Sequence, residues 1–148
     1  MNQQEEDQLC MGIAHLASAH SHEVGSKQIG CVIRTPDHMM TLGWNGTPPG
    51  MPHVPRAPEM RRHKDGLLYH RMQTKPETSH AEYNALSKFM GSTASAEGAT
   101  LYSMWGPCLL CAIMSYRAKI ARVVYETEYK SPDGVNYLKA RGILVEKL

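Results

Sequence analysis

The chain has 148 residues, 42% of them hydrophobic and 20% charged, with a formal net charge of +2. That length suits one domain whose core folds without disulfide or metal staples. The near-neutral charge excludes a basic nucleic-acid-binding tail or an acidic solvating tail as the main feature, and no apolar run reaches the roughly 18 residues of a membrane helix, so neither nucleic acid nor a membrane is expected as a partner.

Residues Gln4 to His20 carry Leu9, Ile13, Leu16 and Ala17 at helical spacing behind a run of acids, which predicts an opening amphipathic helix. Gln28 to Arg34 is a short β-branched run, Pro36-Asp37 turns it, and Met39 to Trp44 offers a second strand of a hairpin. The character then changes. Gly43 to Thr78 holds most of the prolines together with His53, His63 and His70, so residues 51–78 read as an irregular insert with one helical turn around Glu59 to Lys64. Order returns with a helix over Ser79 to Met90, a strand over Gly98 to Met104 and a helix over Pro107 to Lys119. A strand over Ile120 to Tyr125, a short helix over Val135 to Arg141 and a last strand over Ile143 to Glu146 follow. Alternating helices and strands predict an α/β domain with parallel neighbours and helices on both sheet faces. With no repeat and no linker, residues 1–148 read as a single domain.

Cysteines stand at positions 10, 31, 108 and 111. The N-terminus, MNQQEEDQ, is the opposite of a secretory n-region, so a cytoplasmic, reducing location is expected, with thiols or metal ligands rather than disulfides.

His80-Ala-Glu82 opens one predicted helix and Pro107-Cys-Leu-Leu-Cys111 the next, with a strand between them. Helix N-termini stabilise thiolates, and two cysteines three residues apart lie on one face of a turn, where both sulfurs reach one Zn²⁺. His80 supplies a third ligand, and three protein ligands leave the fourth position open, the mark of a catalytic zinc. Glu82 is too close in sequence to His80 to be a comfortable fourth ligand. It is well placed to take a proton from water and pass it to a leaving amine. A plainer reading stands beside this one, because Ser79-x-x-Glu82 is also a capping box. Cys31, inside an apolar strand, reads as an inert small hydrophobe. The two motifs in this order match the signature of zinc deaminases.

His80-Ala-Glu-Tyr-Asn-Ala-Leu86 followed by Pro107-Cys-Leu-Leu-Cys111 resembles the cytidine-deaminase superfamily, and Gly43-Trp-Asn-Gly-Thr-Pro-Pro-Gly50 is similar to a segment of its deoxycytidylate (dCMP) deaminases. Ser26 to Ile33, Gly98 to Tyr102, Tyr125 to Tyr129 and Leu138 to Ile143 extend the likeness over nearly the whole chain. The resemblance implies a three-layer α/β/α fold on a mixed five-stranded sheet, and zinc-dependent conversion of dCMP to dUMP and ammonia, which supplies dUMP for dTMP synthesis. It implies one zinc per chain on His80, Cys108 and Cys111, with Glu82 as the proton shuttle. Asn45 would bind the sugar and help fix the base, and Ser26, Lys27 and Tyr129 would lie near the nucleotide and its 5′-phosphate. As plainer readings, Asn45 is a turn residue, Ser26 and Lys27 a solvated turn, and Tyr129 a surface aromatic. The resemblance further implies a homohexamer activated by dCTP with Mg²⁺ and inhibited by dTTP. Arg56, Arg61, Arg62, Lys64 and Arg71 could serve these triphosphates or form a solvated basic face. The chain departs from the family in Ser103-Met-Trp-Gly106, and its insert has no cysteine, so no second metal is expected. Rival readings are a deaminase of another base or nucleoside (cytosine, cytidine, guanine or tRNA adenosine) and a zinc-stabilised binding module without chemistry.

Overall fold

In a computed structural model of the chain, residues 1–22, 28–47, 50, 57–73 and 79–148 are described. Helix α1 (Gln3–Ser18) starts at a complete capping box. The Asn2 side chain accepts from the Glu5 N–H at 2.9 Å and the Glu5 carboxylate accepts from the Asn2 N–H at 2.8 Å, which satisfies two of the end's orphan donors. The helix buries only part of the predicted face: Ala17 is buried and Ile13 packs at the core's edge, but Leu9 and Leu16 are exposed, and Cys10, Met11 and Ala14 complete the inner face. Close approach sets this choice at one point: a Cβ on Gly30 would sit 1.8 Å from the Ala14 carbonyl oxygen, so the helix backbone at Ala14 lies directly on the strand.

Strands β1 (Gly30–Arg34) and β2 (Met40–Trp44) form the predicted antiparallel hairpin. After the insert come α2 (Ala81–Ser87), β5 (Thr100–Trp105), α3 (Leu109–Arg117), β6 (Arg122–Thr127), α4 (Asp133–Ala140) and β7 (Leu144–Lys147). The main sheet runs in the order β2-β1-β5-β6-β7. β1 is antiparallel to β2 and β5, whereas β5, β6 and β7 are parallel neighbours joined by the crossover helices α3 and α4, so the sheet is mixed, as expected.

Period-two alternation divides the sheet's side chains between two cores. Cys31, Ile33, Leu101 and Val123 face one way and pack with Ala81, Ala85 and Leu86 of α2, Ala112 of α3 and Leu138 of α4. Val32, Tyr102 and Val124 face the other way and pack with Cys10, Met11 and Ala14 of α1. The result is three layers, and Ser103, in phase with Leu101, belongs to the α2 side. Cys10 and Cys31 are fully buried without a disulfide, so both serve as small hydrophobes.

The insert departs from its expected irregularity. Instead of a helical turn at Glu59 to Lys64, it contains the antiparallel hairpin β3 (Ala57–Arg62) and β4 (Leu68–Gln73), a separate two-stranded sheet. Its turn is closed by bonds from the His63 N–H to the Leu67 carbonyl at 2.8 Å and from the Leu67 N–H to the Asp65 carboxylate at 3.0 Å, with Gly66 at φ 91°. A positive φ there suits glycine.

A largely buried ion pair ties α1 to the start of β6. Both oxygens of Asp7 accept from Arg122 at 2.7 Å, and Tyr102 and Gln3 each donate to the carboxylate at 3.0 Å. The Arg122 guanidinium holds the Asp7 carboxyl below its usual range, against the opposing effect of burial. A group whose folded pKa is depressed contributes stability above its unfolded pKa and loses it as pH falls through the folded one. Asp7→Asn should therefore lower stability by roughly 2–3 kcal/mol near neutrality. The gap to wild type, followed by denaturant unfolding against pH, should close below the ordinary carboxylate pKa of about 4.

Candidate metal centre and active site

Two loops that end in helix caps meet at the carboxyl end of β5. Cys108 is the N-cap of α3, and its sulfur accepts from the Cys111 N–H at 3.5 Å. His80 is the N-cap of α2 but makes no side-chain cap bond. Its ring turns to the cysteines instead, with Nδ1 3.4 Å from the Cys108 sulfur and 3.5 Å from that of Cys111. The three donor atoms all lie within 4.8 Å of one another and form the one such His/Cys/Asp/Glu group among the described residues.

The spacing fits zinc. Zn–N and Zn–S bonds of about 2.05 and 2.3 Å at a tetrahedral angle place nitrogen and sulfur about 3.6 Å apart. Zinc takes the thiolate form, and without a metal the two cysteines share one proton between them. The Cys108 thiol is pulled down to about 4, first by a hydrogen bond from the Cys111 thiol and then, against burial, by the His80 ring and the Cys111 N–H. Cys111, the donor in that pair and itself buried, is pushed up, and the bond to Cys108 raises the His80 imidazole.

Glu82, only 5% exposed, lies on the first turn of α2 beside this group. Burial raises its carboxyl pKa above the usual range, and the Ser103 hydroxyl donates to its Oε1 at 3.1 Å. The capping-box reading fails here. The Ser79 N–H that Glu82 would have to bind already donates to the Gly46 carbonyl at 2.8 Å, and His80, not Ser79, is the cap.

The same bridge brings Asn45 to the site. Gly46 and Ser79 exchange two backbone hydrogen bonds, at 2.8 and 3.0 Å, so the residue before Gly46 lies against the residue before Ala81. Asn45 is tied down at three points: its N–H donates to the Ile29 carbonyl at 3.1 Å, its Oδ1 accepts the Ile29 N–H at 2.8 Å, and its carbonyl accepts from Ser21 at 2.8 Å. Asn84 of α2 adds a bond to the Trp44 carbonyl at 2.7 Å. Tyr129 is half-buried within electrostatic reach of Cys108, Cys111 and Glu82, and burial foremost raises its phenol pKa. The structure thus gathers His80, Glu82, Cys108, Cys111, Asn45 and Tyr129, whereas Ser26 and Lys27 lie outside the described residues.

The model of the cytidine and deoxycytidylate deaminase zinc-binding region matches residues 4–127. The chain belongs to this family. It is 29% identical over 150 residues to the deoxycytidylate deaminase of Saccharomyces cerevisiae, an alignment covering 95% of this chain and 44% of that protein. It is 27% identical over 125 residues to the deoxycytidylate deaminase of Mus musculus, covering 80% of this chain and 62% of that one. The chain thus spans about half the length of the curated relatives it matches. Among solved structures, the dCMP deaminase of cyanophage S-TIM5 in complex with dCMP and dUMP has a TM-score of 0.80 and 30% identity, covering 100% of this chain and 99% of that chain. The cytidine-deaminase fold expected from the resemblance is therefore the fold of this family member.

Two site residues carried no motif signal. Ser103 stood out only as a departure from the family pattern, although its phase with Leu101 put it on the inner face. Gly134 lies on the first turn of α4, one residue before the predicted start of that helix at Val135. A Cβ there would lie 2.1 Å from the Pro107 carbonyl oxygen and 2.8 Å from the Cys108 carbonyl, so α4 rests on the loop that carries Cys108.

Proposed function

We propose that the chain is a zinc-dependent hydrolase that converts dCMP and water into dUMP and ammonia, supplying dUMP for dTMP synthesis. The observation that carries this reading is a buried carboxylate, Glu82, set beside a three-donor metal group in a chain that matches a nucleotide deaminase along its full length. His80, Cys108 and Cys111 would hold one zinc, whose contribution when bound is to make water a nucleophile at neutral pH. Glu82 would take a proton from that water and deliver it to the amine leaving C4 of the pyrimidine, while oxygen replaces nitrogen at that carbon. Asn45 would hold sugar and base through an amide whose orientation Ile29 fixes. Tyr129, with Ser26 and Lys27, would face the nucleotide. Supported by the family resemblance, the same reading extends to a cytoplasmic homohexamer activated by dCTP with Mg²⁺ and inhibited by dTTP.

Ammonia release from a panel of dCMP, CMP, deoxycytidine, dCTP and guanine tests the substrate. dCMP should have the highest kcat/KM, and metal analysis should find one zinc per chain. Chelation should abolish turnover, and a Cys108→Ala, Cys111→Ala double variant should lose the metal. Preference for guanine or deoxycytidine would replace the nucleotide assignment. Absence of turnover on all five would leave a zinc-stabilised binding module, and full zinc content in the double variant would remove the ligand assignment.

A further inference from the structure

We propose that Ser103 is a positioning residue for the deamination, acting through Glu82: its buried hydroxyl holds the carboxylate that moves the proton. This rests on the reading of the site given above. Ser103 is 0% exposed on β5, flanked across the sheet by Cys31 of β1 and Tyr125 of β6. Its strand neighbours on the same face, and the residues of α2 and α3 opposite, form the apolar core that contains Leu101, Val123, Ala81, Ala85 and Ala112. A hydroxyl in such surroundings is unfavourable unless it is hydrogen-bonded, and an aliphatic side chain would fill the position as well. The bond that satisfies it goes to Oε1 of Glu82 at 3.1 Å.

The partner explains the choice. Glu82 is itself buried, and its carboxylate would otherwise be free to rotate about its last side-chain bond, a broad and nearly two-fold torsion. A donor on one oxygen fixes that torsion and leaves the other oxygen in a defined place. Proton transfer depends on such placement, because general acid–base catalysis requires hydrogen-bond reach to the reacting atoms. The Ser103 hydroxyl bonds to Glu82, which is not one of the three donors His80, Cys108 and Cys111. Its effect is therefore expected on turnover and not on binding.

The test uses the zinc-loaded enzyme with dCMP. Ser103→Ala should lower kcat by about tenfold, with KM within about twofold and with zinc content unchanged. Ser103→Thr, which keeps the hydroxyl and adds one methyl, should retain more of kcat than the alanine variant. The deciding readout is a double-mutant cycle with Glu82→Gln: if Ser103 acts through the carboxylate, Ser103→Ala in that background should change the residual rate by less than about twofold. Three outcomes would overturn the proposal: an unchanged kcat in Ser103→Ala, equal impairment of the alanine and threonine variants, or the same loss in the Glu82→Gln background. Loss of zinc or of the fold in Ser103→Ala would also overturn it, by making the hydroxyl a structural part. The wild-type and Glu82→Gln measurements keep the two readings apart. No ammonia from dCMP with wild type refutes the function, whereas an active wild type indifferent to Ser103→Ala refutes only the positioning role.

Discussion

Glu82→Gln is expected to lower dCMP turnover by at least about 10²–10⁴-fold, the range that general acid–base catalysis contributes, while zinc content and thermal midpoint hardly move. The substitution keeps the side chain's shape and an oxygen able to accept from Ser103, so the geometry around the 3.1 Å bond survives. What it removes is the capacity to take up and release a proton. Burial matters to the size of the effect. With Glu82 only 5% exposed, no bulk solvent stands beside it to relay the proton in its place. Single-turnover ammonia release, with zinc measured in the same sample, separates this from metal loss. Because the Ser79 N–H is already bonded to Gly46, a variant with near wild-type rate could not be explained by a capping role either. It would move the proton shuttle to another residue.

That His80, Cys108 and Cys111 come together was legible in the sequence, because a metal's chemistry would fix residue type and spacing together. Each of the three stands in the first turn or cap of a helix. The parallel half of the sheet was legible for a related reason, since β5, α3, β6, α4 and β7 alternate with clear apolar phases. The insert was not. Glu59 to Lys64 is a run of residues with good helix propensity, and neither β3 nor β4 shows alternating apolar positions, so no strand pattern marks the hairpin. The available clue was Asp65-Gly66, a turn pair between the two strands. The α1 face was legible only at Ile13 and Ala17, because apolar periodicity favours leucine over alanine, while the close approach at Gly30 puts Ala14 against the sheet and leaves Leu9 and Leu16 outside. That kind of information resides in the partner strand and not in the helix. Ser103 and Gly134 belong to the same class, since each is defined by what lies across from it.

Gly134 gives that point its sharpest test. The Cβ of Gly134→Ala would lie 2.1 Å from the Pro107 carbonyl oxygen and 2.8 Å from both the carbonyl carbon and the oxygen of Cys108. These are backbone atoms, so no flexible side chain can give way. Either α4 lifts from the sheet or the Pro107–Cys108 loop shifts by about an ångström, and misplacement of that size costs about 10²-fold in rate. Overpacking of this kind also costs about 1–3 kcal/mol of stability. Gly134→Ala should therefore lose about 10²-fold in kcat/KM, bind zinc more weakly in a chelator competition, and melt several degrees lower. Gly12→Ala is the matched control. Gly12 lies inside α1 with nothing within 4 Å of its would-be Cβ, so alanine there should raise stability by roughly 1 kcal/mol and leave zinc affinity and turnover alone. If Gly134→Ala bound zinc and turned over dCMP as wild type does, the seat of α4 on the cysteine loop would have no part in holding Cys108 to the metal.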